Sequence, residues 1–192
     1  HALDQLGYDV QFFLGRVTPE LHSDGPRTHR ITILKYEGKE YLIDVGFGPG
    51  VVRGLVPFSI DETFAFGETD ARIVVNEFSE YVLQSRKRGN VFSSLYTFDL
   101  ARYTDGDCDA ANLYSYLHPK AAFRNKLMVS LILSGETRSI INANYRLSKQ
   151  GGDAVDTVLD SSEEMRAILD RDYELSLSAE EAVRVWSKVQ SF

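Results

Sequence analysis

Apolar and polar residues alternate through most of the first hundred positions with the period of two that is typical of β-strands. In residues 8–17, for example, Val10, Phe12 and Leu14 fall on one face. The same pattern predicts further strands at 28–36, 40–45, 71–76, 81–86 and 91–100. The link Glu37-Gly38-Lys39 is typical of a tight antiparallel hairpin. Short strands with close turns indicate an antiparallel barrel or sandwich.

The last third of the chain mixes strands and helices. We predict a short helix at 109–117, ended by Pro119, then strands at 126–133 and 138–147 around the turn Ser134-Gly135-Glu136. Two closing helices each begin with a capping box, Ser161-x-x-Glu164 and Ser178-x-x-Glu181. The fold class is therefore α+β. We place the antiparallel barrel or sandwich at 8–106, an interdomain helix and linker at 107–125, and a smaller α/β domain at 126–192.

The charge and hydrophobicity of the chain indicate which classes of binding partner it is expected to lack. The chain has 192 residues, and 28 acidic residues against 21 basic ones give it a formal net charge of -7. A mildly acidic chain lacks the electrostatic footprint of a nucleic-acid binder. No apolar run approaches the roughly 20 residues that span a bilayer. We therefore expect neither a nucleic-acid nor a membrane partner.

Cysteine usage and the first residues set two more expectations. Cys108 is the only cysteine, so an internal disulfide and a cysteine-based zinc site are both excluded. A reducing, cytoplasmic setting without a bound metal fits best. Residues 1–7 are typical of the last turns of a helix, with Gly7 just after its C-cap. Because the chain opens at a helix end and without methionine, we expect a fragment of a longer protein.

The candidate chemistry lies in the hairpin predicted from residues 28–45. A two-residue turn at Glu37-Gly38 places Ile31 opposite Asp44 and His29 opposite Gly46. His29 and Asp44 then share a face as diagonal neighbours, about 7–8 Å apart at the backbone. A turn shifted by one residue keeps this arrangement, whereas a three-residue turn separates the two side chains.

A buried carboxylate beside a histidine can fix the tautomer of the ring and stabilise the imidazolium. Such a pair activates a third group, usually a cysteine or a serine. Glycines after the carboxylate let the backbone approach a ligand closely. One His and one Asp in a hairpin are weak evidence by themselves, and a plainer interpretation is open at this point: Asp44 before a glycine is often a turn former, and His29 at a strand start is often a loop residue.

Longer motifs carry a family resemblance. Arg27-Thr-His29, followed by a strand, a hairpin and Asp44-Val-Gly-Phe-Gly48, resembles the arylamine N-acetyltransferases. The resemblance continues upstream in Leu6-Gly-Tyr-Asp-Val10 and Leu14-Gly-Arg-Val17. Downstream it is looser, through Leu95-Tyr-Thr-Phe-Asp-Leu100 and Phe123-Arg124. It is strong over residues 1–60 and moderate over the rest of the chain.

The resemblance implies a cysteine-proteinase-like fold with a helical first domain, a β-barrel second domain and an α/β third domain that acts as a lid. Residues 1–7 would then be the end of a truncated helical domain. The family transfers an acetyl group from acetyl-coenzyme A to arylamines, arylhydroxylamines or arylhydrazines, in two ping-pong half-reactions. A role in xenobiotic metabolism and a cytoplasmic location follow from the same resemblance.

The resemblance also assigns residues. His29 and Asp44 match the family's catalytic His and Asp, and Phe47 matches an aromatic residue of the acceptor pocket. Thr28, Gly46 and Gly48 lie where the family's loops meet coenzyme A and substrate. The family's nucleophile belongs to an Arg-Gly-Gly-x-Cys-Phe-type motif that precedes the His and the Asp. That motif is not among these residues.

Cys108 follows both triad residues, so we interpret it as a small residue at a helix start and expect this chain alone to be inactive. Two alternatives stay open. One is a related amide synthase, or another acyltransferase, on the same scaffold. The other is a non-catalytic β-barrel binding module in which the motifs are coincidental.

Overall fold

The alternating segments of the first hundred residues form one antiparallel sheet in the computed structural model of the chain, which describes residues 2–18 and 25–191. Its eight strands lie in the order β4-β3-β2-β1-β8-β7-β6-β5 and form a barrel-like sheet, as predicted. Their bounds are β1 Asp9–Val17, β2 His29–Tyr36, β3 Lys39–Ile43, β4 Val56–Pro57, β5 Thr63–Phe66, β6 Thr69–Val75, β7 Tyr81–Lys87 and β8 Ser93–Phe98. The pattern missed β4 and β5 because they are only two and four residues long.

The core of this sheet lies on one face of the strands. Phe13 of β1 belongs to it, together with residues of the neighbouring strands: Ile31, Ile33, Leu42, Ile73, Leu83, Tyr96 and Phe98. The apolar face noted in the sequence, with Phe12 and Leu14, is the opposite one. The apolar side chains of this second face are also covered. Leu14 is buried, and the Arg30 guanidinium packs over the Phe12 ring, 4.4 Å from its centre.

The first helix ends as its sequence predicts. Helix α1 covers Ala2–Gln5, and Gly7 adopts φ +84° just beyond it. The Gly7 N–H donates to the Asp4 carbonyl and the Tyr8 N–H to the Leu3 carbonyl. This pair of hydrogen bonds is a Schellman motif, which satisfies the last carbonyls of the helix.

The chain divides into two compact units, residues 1–114 and residues 115–192. The boundary between the two units falls within helix α2 (Asp105–Leu117), inside the stretch 107–125 that we predict as an interdomain helix and linker. The second unit begins with the short helix α3 (Ala122–Asn125). It contains an antiparallel sheet of order β12-β11-β10-β9 and the helices α4 (Ser162–Tyr173) and α5 (Ala179–Val189). Its strands are β9 Met128–Leu133, β10 Glu136–Ile141, β11 Asn144–Lys149 and β12 Val155–Val158.

The prediction of a single strand at 138–147 is wrong. The segment turns at Asn142, which has φ +54°, and Ile140 pairs back with Tyr145 across β10 and β11. The Asn142 side-chain oxygen also accepts a hydrogen bond from the Leu127 N–H. Asparagine tolerates the left-handed conformation and forms such local bonds readily, so Asn142 was a turn signal inside an otherwise strand-like run.

The two predicted caps differ in completeness. Ser178 accepts from the Glu181 N–H, and the Glu181 carboxylate accepts from the Ser178 N–H, so the capping box of α5 is confirmed. Ser161 accepts from the Glu164 N–H in the same way. The Glu164 carboxylate, however, accepts from the Asp160 N–H, so α4 has only one half of the predicted box.

Replacing Ser178 with alanine should lower the free energy of unfolding of the second unit by about 1 kcal/mol, because it removes an N-cap acceptor. Trp186, the only tryptophan, packs against the core of this unit, so its fluorescence during chemical denaturation reports the change. Ser187→Ala, within the same helix, is the matched control and should leave the midpoint almost unchanged. Equal midpoints for Ser178→Ala and the parent would contradict the capping role.

None of the helices in the described part of the chain is long and apolar enough to cross a membrane.

Candidate active site

The β2–β3 hairpin has the register that the sequence predicts. Tyr36 pairs with Lys39 and Thr32 with Ile43, so the turn consists of the two residues Glu37 and Gly38. Both have positive φ, +50° and +74°. A two-residue turn of this kind matches the twist of the flanking strands. It fixes the pairing that brings the start of β2 and the end of β3 onto one face.

His29 opens β2, Asp44 directly follows β3, and their side chains meet. His29 Nε2 lies 2.7 Å from Asp44 Oδ2, and the two side chains are 13% and 3% exposed. The other carboxylate oxygen, Oδ1, accepts from the backbone N–H groups of Gly46 at 3.0 Å and Phe47 at 3.1 Å. Asp44 is therefore both a turn former and the partner of His29, which reconciles the two interpretations left open by the sequence.

Asp44 is held in its ionised form. Burial acts to raise its pKa, but the hydrogen bond and the charge of His29, with the Gly46 N–H, bring the pKa of Asp44 below its usual value of 3.8. An ionised carboxylate only accepts hydrogen bonds, so His29 Nε2 must be the donor. When the ring is neutral, the second ring nitrogen, Nδ1, therefore carries the lone pair and is the basic atom of this pair.

Two aromatic rings hold the imidazole in place. The Phe47 ring meets the His29 ring nearly edge-on, with centroids 5.4 Å apart and planes at 80°. The Tyr96 ring lies on another side at 5.0 Å. Tyr96 is completely buried, and burial together with the charge of Asp44 raises the pKa of its phenol well above 10. The phenol therefore stays neutral; its hydroxyl makes no hydrogen bond of good geometry to the described residues, and its proximity is the smallest of the effects that lower the pKa of Asp44.

Gly15 makes room for this contact, and sequence reasoning missed both Gly15 and Tyr96. Gly15 lies in β1, between the strands that carry His29 and Tyr96, and it pairs with His29. A Cβ at Gly15 would lie 3.3 Å from Tyr96 Cδ2 and 3.3 Å from the Thr97 carbonyl oxygen. A glycine inside a strand often marks such a close approach, so Gly15 was the signal that the sequence offered.

The structure therefore brings together four of the six residues named from the sequence: His29, Asp44, Gly46 and Phe47. Thr28 directly precedes His29 and is half-buried. Gly48 follows Phe47 with φ +88°, a conformation that favours glycine. The catalytic or binding roles of all six residues stay predictions.

Cys108 lies in a different environment. It interacts electrostatically with Arg30, whose side chain is on the opposite face of β2 from that of its neighbour His29. Burial is the main cause that raises the pKa of the Cys108 thiol; the nearby carboxylates add to it, and Arg30 opposes it. A thiol whose pKa is raised is less readily ionised, and only the thiolate is a strong nucleophile.

The described residues contain no group of three or more His, Cys, Asp or Glu side chains that could hold a metal ion.

Comparisons with known proteins agree in one family. The N-acetyltransferase family profile matches residues 1–182. An arylamine N-acetyltransferase of Escherichia coli (strain K12) is 31% identical over 134 residues, which are 67% of this chain and 45% of that protein. An arylamine N-acetyltransferase / N-hydroxyarylamine O-acetyltransferase of Salmonella typhimurium is 28% identical over 152 residues, 78% of this chain and 53% of that protein. The chain thus spans about half the length of these curated relatives.

Solved structures agree with the fold. The arylamine N-acetyltransferase from Salmonella typhimurium superposes with a TM-score of 0.85 at 23% identity, covering 100% of this chain and 71% of that one. The Mycobacterium marinum arylamine N-acetyltransferase in complex with CoA gives 0.84 at 20% identity, covering 98% and 71%. With the family profile matching 182 of the 192 residues, the chain belongs to the N-acetyltransferase family, whose members among its relatives are arylamine N-acetyltransferases.

Proposed function

We propose that this chain is the part of an acetyl-coenzyme A-dependent arylamine N-acetyltransferase that supplies the base and its orienting carboxylate. The observation that carries the proposal is the pair of His29 and Asp44, 2.7 Å apart, with both carboxylate oxygens engaged. The names of the relatives and the CoA complex of one of them support the reaction and the donor. Arylamines or arylhydrazines are the acceptors.

His29 performs two proton transfers in each half-reaction. In the first, Nδ1 takes the proton of a cysteine thiol as the sulfur attacks the acetyl carbonyl of acetyl-coenzyme A, and then returns it to the departing thiolate of coenzyme A. In the second, Nδ1 takes a proton from the arylamine nitrogen as that nitrogen attacks the thioester, and returns it to the cysteine sulfur. Asp44 stabilises the imidazolium that forms each time.

The other residues of the site shape and orient. Phe47 lies against His29 and offers an aromatic face to an aryl acceptor. Gly46 leaves open space where a side chain would begin, which suits close contact with a substrate or coenzyme. We assign Thr28 and Gly48 to the same binding surface because they flank the catalytic pair along the chain.

The nucleophile in this proposal is a cysteine outside these 192 residues, because Cys108 is the only cysteine among them, follows both His29 and Asp44 in the chain, and has a thiol of raised pKa. A longer form of the protein that carries the family's Gly-Gly-x-Cys motif should release coenzyme A from acetyl-coenzyme A when an arylamine is present. The 192-residue chain alone should show only the background rate.

Cys108→Ser is the control for this assignment. In the longer form it should leave the rate of transfer unchanged. Transfer by the 192-residue chain that disappears in Cys108→Ser would show that Cys108 is the nucleophile. A longer form that binds acetyl-coenzyme A without any transfer would favour a binding module instead.

A further inference from the structure

An arginine just before the catalytic strand forms two ion pairs. Arg27 Nη2 lies 2.5 Å from Glu80 Oε1 and 3.0 Å from Asp99 Oδ2. The Arg27 side chain is 17% exposed and that of Glu80 is 16% exposed, so the contact is largely shielded from water. Shielding of this degree makes the contact stronger than an ordinary surface ion pair. Arg27 is also only two residues from His29.

The two carboxylates belong to neighbouring strands at the same end. Glu80 directly precedes β7 and Asp99 directly follows β8, and the adjoining residues Tyr81 and Phe98 are paired. Two negative charges side by side repel each other, and Arg27 offsets both. Each acid is held from a second side as well: Asn76 Nδ2 donates to Glu80 Oε2 at 3.2 Å, and the Tyr103 hydroxyl donates to Asp99 Oδ1 at 3.1 Å.

Ordinary strand pairing does not account for how the chain enters β2. Residues 25–28 belong to no strand, and the ladder with β1 begins at His29, opposite Gly15. The Arg27 ion pairs therefore tie this segment to β7 and β8. Strand β8 also carries Tyr96, one of the two rings that hold the imidazole.

We propose that Arg27 is a positioning residue: it clamps the entry to β2 onto the ends of β7 and β8 and so fixes the His29 ring against Tyr96 and Asp44. The inference rests on the proposed function, in which His29 is the base. Positioning matters here because a displacement of about 1 Å at a catalytic group can cost about 10²-fold in rate. The clamp acts on the geometry of the base, so its loss should lower kcat with little effect on KM.

The first measurement needs no activity. In the 192-residue chain, the ¹⁵N shifts of the His29 ring report which nitrogen carries the proton, and the parent should show a protonated Nε2. In Arg27→Gln we expect mixed tautomers or a broadened ring signal. Arg27→Lys, which keeps the charge but loses the rigid planar guanidinium, should give an intermediate result.

The second measurement is kinetic and uses the longer, active form. Arg27→Gln should reduce kcat by about 10²-fold, with KM changed by much less. Arg72→Gln is the matched control, since Arg72 lies in β6 and donates to the neutral Gln84 away from His29. It should keep both the ring signal and kcat of the parent.

A variant that fails to fold would obscure both readouts, because removing Arg27 leaves two adjacent carboxylates without a counter-charge, and that of Glu80 is largely shielded from water. The triple variant Arg27→Gln, Glu80→Gln, Asp99→Asn removes all three charges together and should fold while still lacking the clamp. An unchanged His29 signal in a folded variant overturns the proposal, and so does loss of fold in both variants. If the longer form proves inactive as a transferase while the ring signal changes as expected, the proposed function fails and the clamp stands.

Discussion

Replacing His29 with alanine should reduce acetyl transfer by about 10⁴-fold or more in the longer, cysteine-containing form of the protein. The reason is that, in the proposed mechanism, His29 Nδ1 accepts the proton of the nucleophile, while Nε2 is hydrogen-bonded to Asp44. Without the ring, the thiol is largely protonated at neutral pH and attacks slowly. The measurement is the steady-state rate of coenzyme A release with an arylamine acceptor.

The matched control is His118→Ala, since His118 follows helix α2 and belongs to the second unit. It should keep the rate of the parent. Both variants should give the circular dichroism spectrum of the parent, because His29 is not part of the apolar core. Turnover within about tenfold of the parent in a folded His29→Ala would contradict its role as the base.

Asp44→Asn should lower the transfer rate by about 10⁴-fold, although it changes almost nothing in shape. Asparagine can still accept the Gly46 and Phe47 N–H groups with its oxygen. Its amide nitrogen then takes the place of Oδ2 and donates towards His29 Nε2, so the ring proton must move to Nδ1. The atom that should accept the thiol proton would already be occupied.

Asp70→Asn is the control for the loss of a buried carboxylate. Asp70 is paired with Arg86 at 3.1 Å and Arg88 at 3.4 Å, away from His29. This variant should lose stability but keep its kcat, whereas Asp44→Asn should lose kcat. Similar kcat values for the two variants would show that Asp44 is only a turn former.

The Asp44→Asn substitution should also change how stability depends on pH. The pKa of Asp44 is below its usual 3.8 in the folded state, so the carboxylate contributes stability that is complete above the unfolded value. That stability is lost as the pH falls through the lower folded value. The difference in free energy of unfolding between the parent and Asp44→Asn should therefore shrink below about pH 4. A constant difference across this range would contradict the ionised state of Asp44.

Local signals explain why the contact between His29 and Asp44 could be predicted. Glu37 and Gly38 define a two-residue turn, and a turn of known length fixes which residues share a face. Counting residues outward from this turn along both strands then predicts that His29 and Asp44 are neighbours on one face. Strand alternation predicted six of the eight strands of the barrel-like sheet, and six of its seven strand pairings join strands that are consecutive in the chain.

Long-range packing explains what could not be predicted. Tyr96 reaches His29 across β1 only because Gly15 leaves space, and that requires the order in which β2, β1 and β8 pair. The contacts of Arg27 with Glu80 and Asp99 join residues more than fifty positions apart in sequence. The Arg27 contacts have no local pattern, and Gly15 marks a close approach in β1 without indicating which residue makes it. The turn at Asn142 did have one, but the apolar residues around it dominated the pattern.

The central claim is that His29 and Asp44 activate a cysteine for acetyl transfer, and intact-mass spectrometry tests it most directly. The longer form, mixed with acetyl-coenzyme A and no acceptor, should gain one acetyl group on the cysteine of its Gly-Gly-x-Cys motif and lose it when an arylamine is added. The His29→Ala and Asp44→Asn variants should stay unmodified over the same time. Acetylation of these variants at the rate of the parent, or acetylation at Cys108 instead, would contradict the account.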